Sequence, residues 1–104
     1  MSQNQIQKTF SNRFFCKGKF VGASNRRATP KGMVLQDFVI SVSSELEWKQ
    51  KRMLNITSTC YGDTVNKLKE LKTGDLIFIE GVIDQSGKEG PILMTKKIEK
   101  EIVK

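Results

Sequence analysis

Residues 54–83 read LNITSTCYGDTVNKLKELKTGDLIFIEGVI, and the hydrophobic period changes twice within them. From Leu54 to Tyr61 the period is two. Leu54, Ile56 and Cys60 fall on one face and Thr57, Thr59 and Tyr61 on the other, as in a strand with one buried side. After Gly62 the apolar residues Val65, Leu68 and Leu71 recur at spacing three, with Lys67, Lys69 and Glu70 between them. Asp63 is a candidate cap and Gly74 a candidate stop, so a short helix is expected there. Leu76 to Ile83 then return to a strand pattern.

Working outward, residues 12–22 (NRFFCKGKFVG) also have period two. Phe14, Cys16, Gly18 and Phe20 share one face, and Phe15, Lys17, Lys19 and Val21 the other, which predicts a strand with a basic, partly aromatic outer face. The segment GASNRRATPKG (22–32) is rich in turn formers and reads as a loop carrying Arg26, Arg27 and Lys31. A second strand is expected from Val34 to Leu46, with Phe38, Ile40 and Val42 inside. Residues 45–52 (ELEWKQKR) form the tip of a long hairpin around the only tryptophan. After a turn at 84–91, Ile92 to Ile98 make the last strand. The first eleven residues are polar and aperiodic and are expected to form a flexible arm before one domain spanning 12–104.

The expected order is three strands, one short helix and two strands. That is an all-β fold with a single helix between strands three and four. It matches a five-stranded Greek-key barrel of the OB type.

The net charge is +7, and it is unevenly distributed. Residues 1–52 hold ten Lys and Arg against three acids, and residues 53–104 hold eight of each, as expected if one face meets a polyanion. No apolar run approaches the ~20 residues of a membrane span, and no secretory leader is visible. Residues 1–36 lack acids, as transit peptides do, but the strand pattern from Arg13 onward reads as folded domain. The expected location is therefore cytoplasmic. Cys16 and Cys60 sit at apolar strand positions and read as reduced, buried thiols. Two cysteines and no histidine cannot complete a zinc site. No nucleophile–base pair, phosphate loop or carboxylate cluster is present, so neither an enzyme nor a cofactor is expected.

Binding to a single nucleic-acid strand needs cations for phosphates and aromatic faces for bases. Tyr61 shares the outward parity of Thr57 and Thr59, and Trp48 sits amid Lys49, Lys51 and Arg52, too charged a setting for a core. Phe15 is outward by alternation. Lys17, Lys19, Arg26, Arg27, Lys31, Lys49, Lys51 and Arg52 bracket these aromatics as candidate phosphate ligands. Phe20, Phe38 and Phe78 are expected in the core.

Asn12, Gly18 and the loop end Arg27-x-Thr29-Pro30-x-Gly32 stand at the spacing found at the start of bacterial single-stranded DNA-binding proteins. Phe38–Val42, Tyr61-Gly62, Lys72-Thr73-Gly74-Asp75 and Ile79-Glu80-Gly81 follow in that family's order, so residues 12–98 resemble it. The resemblance implies sequence-tolerant binding of single-stranded DNA in replication, recombination, repair or plasmid and phage DNA processing. It also implies a homo-dimer or tetramer, contacts with replication proteins and a bacterial, nucleoid-associated or mobile-element origin, and it places a base-stacking aromatic at Tyr61.

Three departures stand out. Asn55 occupies the place of the family's tryptophan, the helix segment is about one residue short, and no glycine-rich linker or acidic tip follows the last strand. These point to a minimal form similar to primosomal protein B or to phage and mobile-element relatives. The alternatives are an OB adaptor contacting a helicase or initiator, and an RNA-binding OB protein.

Overall fold

The computed structural model of the chain describes residues 12–44, 51–85 and 90–101. The expected arm (1–11), Trp48, Lys49 and most of the hairpin tip lie outside them. The elements are β1 (Phe14–Ala23), β2 (Arg27–Ala28), β3 (Val34–Ser44), β4 (Arg52–Tyr61), a 3-10 turn (Gly62–Thr64), α1 (Val65–Leu68), β5 (Leu76–Gln85) and β6 (Pro91–Lys100). The five long strands close on themselves. β1 pairs antiparallel with β5 through Phe14–Lys19 and with β3 through Lys19–Ala23, while β5 pairs with β6, and β3 with β4. A short parallel contact, Thr59 with Met94 and Cys60 with Thr95, joins β4 to β6 and completes the barrel. This is the OB arrangement of strands.

The inward row of each strand supplies the core: Phe20, Phe38, Ile40, Cys60, Ile77, Ile79 and Ile98, closed at one end by Val65 and Leu68. Each fully buried large side chain of this set contributes about 1.5–3 kcal/mol of transfer free energy. At the parallel junction the core is polar but satisfied, with the Ser58 and Thr95 hydroxyls 2.6 Å apart and Ser58 Oγ donating to the Leu93 carbonyl at 3.0 Å.

Closure requires close backbone approach at two points. β1 leaves β5 for β3 around Gly18, where a methyl group would run into the Ser41 carbonyl oxygen. β5 and β6 shift register at Glu80/Gly81, where a methyl on Gly81 would meet the Met94 carbonyl oxygen. Asn12 extends the β1–β5 ladder by one rung with its side chain. Its Nδ2 donates to the Ile83 carbonyl and its Oδ1 accepts the Ile83 N–H, both at 2.7 Å, so the amide imitates a peptide unit.

Three expectations change. The helix is shorter than its pattern: a 3-10 turn and four α residues, with no side-chain cap from Thr64 or Tyr61. Val65 and Leu68 are buried and Leu71 packs against the core, so the spacing marks what the segment buries rather than how long it stays helical. The loop after β1 contains a two-residue strand, Arg27–Ala28, paired to Val34 and Leu35. Counting it, the helical segment follows β4 and precedes β5. Phe78 is not in the core; it is half-buried on the outer face of β5, beside Phe15 at 5.9 Å between ring centroids. No helix among the described residues is long and apolar enough to cross a membrane.

Candidate nucleic-acid interface

The loop after β1 is built around the turn Thr29–Gly32. Gly32 N–H donates to the Thr29 carbonyl and Thr29 N–H to the Met33 carbonyl, both at 2.8 Å, while Met33 N–H reaches Thr29 Oγ1 at 3.1 Å. Gly32 has φ +89°, a value that glycine adopts without strain. This closed turn lays β2 against β3 and sets the register Arg27–Leu35, and β3 continues it as Leu35–Tyr61. Arg27, Leu35 and Tyr61 therefore form one row across three strands, with about 10 Å between the outer two backbones.

Tyr61 is half-buried and shares a hollow with Met33, Val82, Asp84 and Met94. Met33, 49% exposed, also lines a larger hollow of about 530 Å³ formed with Arg26, Lys31, Asp63 and Asn66. Arg26 and Lys31 are exposed, and Arg26 Nη2 lies 3.4 Å from Asn66 Oδ1. On the other side of β2 a groove of about 490 Å³ runs between Arg27, Asp37, Thr57 and Thr59 and the start of β6 at Ile92 and Leu93. Arg27 Nη1 donates to Asp37 Oδ2 at 2.8 Å, and Thr59 Oγ1 donates to Asp37 Oδ1 at 2.6 Å. Partial burial pushes the Asp37 carboxyl up. The hydrogen bonds from Arg27 and Thr59 and the charge of Arg27 outweigh it and hold the group below its ordinary value.

The other predicted residues fall in three places. Lys19 pairs with Ser41, which pairs with Asn55, so Lys19 joins this outer face along the same strands. Asn55, at the place of the expected tryptophan, is exposed there. Lys51 and Arg52 are exposed at the far end of the β3–β4 ribbon, roughly 30 Å along β4 from Tyr61. Phe15 and Lys17 lie on β1 against β5, apart from the Arg26–Tyr61 group. Phe15 is 61% exposed and Lys17 Nζ lies 5.0 Å from the Phe78 ring centroid. Three ion pairs lie on this second face: Lys17 with Glu101 at 3.1 Å, Arg13 with Glu80 at 2.7 Å and Lys97 with Glu99 at 3.1 Å.

Sequence reasoning missed Met33, Met94, Asp37 and the β6 residues of the groove. Asp37 was visible as the one acid in residues 1–44, but nothing in periodicity says that a loop arginine would meet it. Both cysteines are free, and burial pushes the Cys60 thiol up to about 11, which makes it a poor nucleophile. Among the described residues no three or more His, Cys, Asp or Glu side chains cluster as a metal site would need.

The barrel superposes on the protein PriB from Ralstonia solanacearum with a TM-score of 0.74, covering 88% of this chain and all of that one at 18% identity. It also superposes on a small single-stranded DNA-binding protein from Streptomyces coelicolor, with a TM-score of 0.68, 14% identity and coverage of 89% and 96%. The second single-stranded DNA-binding protein (SSBb) of Mycobacterium smegmatis follows at 0.66, 16% identity and coverage of 88% and 90%. The fold is the minimal OB barrel of these proteins. At such identities the likeness is one of fold. No family model matches the sequence, and no curated protein matches it.

Proposed function

We propose that this chain binds single-stranded DNA, tolerant of sequence, across the outer face of β2, β3 and β4. The observation that carries this is the row Arg27–Leu35–Tyr61, flanked on one loop by the exposed cations Arg26 and Lys31. Tyr61 offers a base a stacking surface, and Met33 and Met94 line the same hollow. Arg26 and Lys31 neutralise phosphates on the loop side, and Lys19 does so further along the strands. The strands that correspond to this face, with their adjoining loops, are where OB barrels take up oligonucleotides. Lys51 and Arg52 extend the surface along the ribbon, and Trp48 and Lys49, close to them in sequence, are counted as binding residues on their chemistry alone. Phe15 and Lys17 enter only as a continuation of the path across β1, past Lys19.

Such binding serves replication, recombination, repair or the processing of plasmid and phage DNA in a bacterial cytoplasm, by a homo-oligomer working beside other replication proteins. The chain acts as a binding module rather than an enzyme. The test is charge reversal on two faces. R26E/K31E should lower affinity for a fluorescent thymine oligonucleotide by at least about tenfold. Lys97→Glu, on the β5–β6 side, should leave it near wild type. Equal binding by both variants and the wild type would remove this face from the account.

A further inference from the structure

A carboxylate on a strand-binding face calls for an explanation, because it repels the phosphates that the surrounding cations attract. Asp37 lies in the groove beside β2 together with Arg27, Thr57, Thr59, Ile92 and Leu93. Among the described residues lining this groove, Arg27 is the one cation, and its guanidinium is committed to Asp37 at 2.8 Å. The pair is close to neutral as a unit, so this groove is poorly suited to a phosphate. Its remaining surface is apolar on the β6 side and hydroxyl-bearing on the β4 side, and its size is in the range of small-ligand clefts.

We propose that Asp37 makes this groove a base-reading subsite that selects guanine within an otherwise sequence-tolerant strand. An ionised carboxylate has about four acceptor positions. Arg27 takes one on Oδ2 and Thr59 one on Oδ1, which fixes the plane of the carboxylate and leaves one acceptor direction on each oxygen. Guanine alone among the DNA bases presents two adjacent donors on its pairing edge, N1–H and the 2-amino group, matched to two parallel carboxylate oxygens in the way a guanidinium fork is. Thymine presents one N–H between two carbonyl oxygens that a carboxylate repels. Cytosine and adenine present an amine beside an acceptor. In a single strand these edges are unpaired and free to be read. The side chain of Asp37 is 34% exposed, so a base seated against Ile92 and Leu93 has access to it.

This subsite rests on single-strand binding at the same face, and the experiment separates the two. Affinities are measured for a twelve-residue all-thymine strand, for the same strand with one central guanine, and for one with inosine, which lacks the 2-amino group, in its place. The guanine strand should bind about fivefold or more tightly than the all-thymine strand, and inosine should lose most of that gain. D37N also removes a charge that repels phosphate and releases Arg27, so it should shift the affinity of all three strands alike and erase the difference between them. Equal affinity for the three strands, or a guanine preference that survives in D37N, overturns the subsite while leaving strand binding intact. Failure of every strand to bind overturns both. Should D37N fold poorly, the guanine and inosine comparison on the wild-type protein decides the matter by itself.

Discussion

Tyr61 ends β4 on the row that begins at Arg27, and this position was legible because a period-two pattern assigns every second residue to one face. If it stacks on a base, Tyr61→Ala should cost about 1–3 kcal/mol in strand affinity, while Tyr61→Phe stays near wild type, measured by anisotropy of a labelled thymine strand. Phe78 shows where alternation stops helping. Ile77 and Ile79 alternate with it, so its outward parity was available, but an aromatic in an apolar run was assigned to the core by its chemistry. Gly18 is similar: it was visible as a small residue on the inner face, but not that the Ser41 carbonyl lies where its side chain would go. Gly18→Ala forces backbone apart at the closure of the barrel, and a thermal melt should fall by several degrees. An unchanged melt would mean that β1 and β3 separate there at little cost.

At the scale of elements, the long strands were legible and the short pieces were not. β1, β3, β4, β5 and β6 each run for ten or eleven residues, long enough for alternation to declare itself. β2 has two residues, and two residues have no period. The helical segment was recognised by Val65, Leu68 and Leu71, but a spacing of three fits a 3-10 turn as well as an α-helix. The loop between β1 and β3 is the element on which function turns, since its closed turn holds Arg26 and Lys31 around one hollow and Arg27 against Asp37. Gly32→Ala places a side chain at φ +89° and should cost about 1–2 kcal/mol in stability. Strand affinity should fall with it, because the loop relaxes by opening the Thr29–Met33 bonds. A melt lowered by that amount with unchanged affinity would show that the loop cations do not act as a set.

For the whole molecule, the charge asymmetry read from composition becomes a contrast between two faces. Four ion pairs lie on the β1–β5–β6 side and one, Arg27–Asp37, on the β2–β3–β4 side, where Arg26 and Lys31 are exposed and make no ion pair within the described residues.

Three carboxylates also tie stability to pH. Asp37 is held below its ordinary 3.8 although burial pushes it up, because its bonds to Arg27 and Thr59 prevail. Asp75 is lowered from 3.8 chiefly by the Lys72 N–H, and Glu80 from 4.5 chiefly by Arg13. Each folded value lies below the unfolded one. The stability these groups add is therefore complete above the unfolded values and is lost as pH falls through them toward the folded values. The melting temperature should be level from about pH 8 to pH 5 and decline below about pH 4. A decline that begins near neutrality would contradict this.

The claim on which the rest depends is that the loop and strand face bind a single strand through phosphates and bases together. The most direct measurement is the affinity for a thymine oligonucleotide as a function of salt, beside a duplex of equal length. Lys19, Arg26, Lys31, Lys51 and Arg52 supply five cations free of ion pairs among the described residues, so log K should fall with log salt at a slope of about −3.5. The duplex, whose bases are already stacked, should bind far more weakly. A slope near zero, or equal affinity for duplex and single strand, would contradict the account.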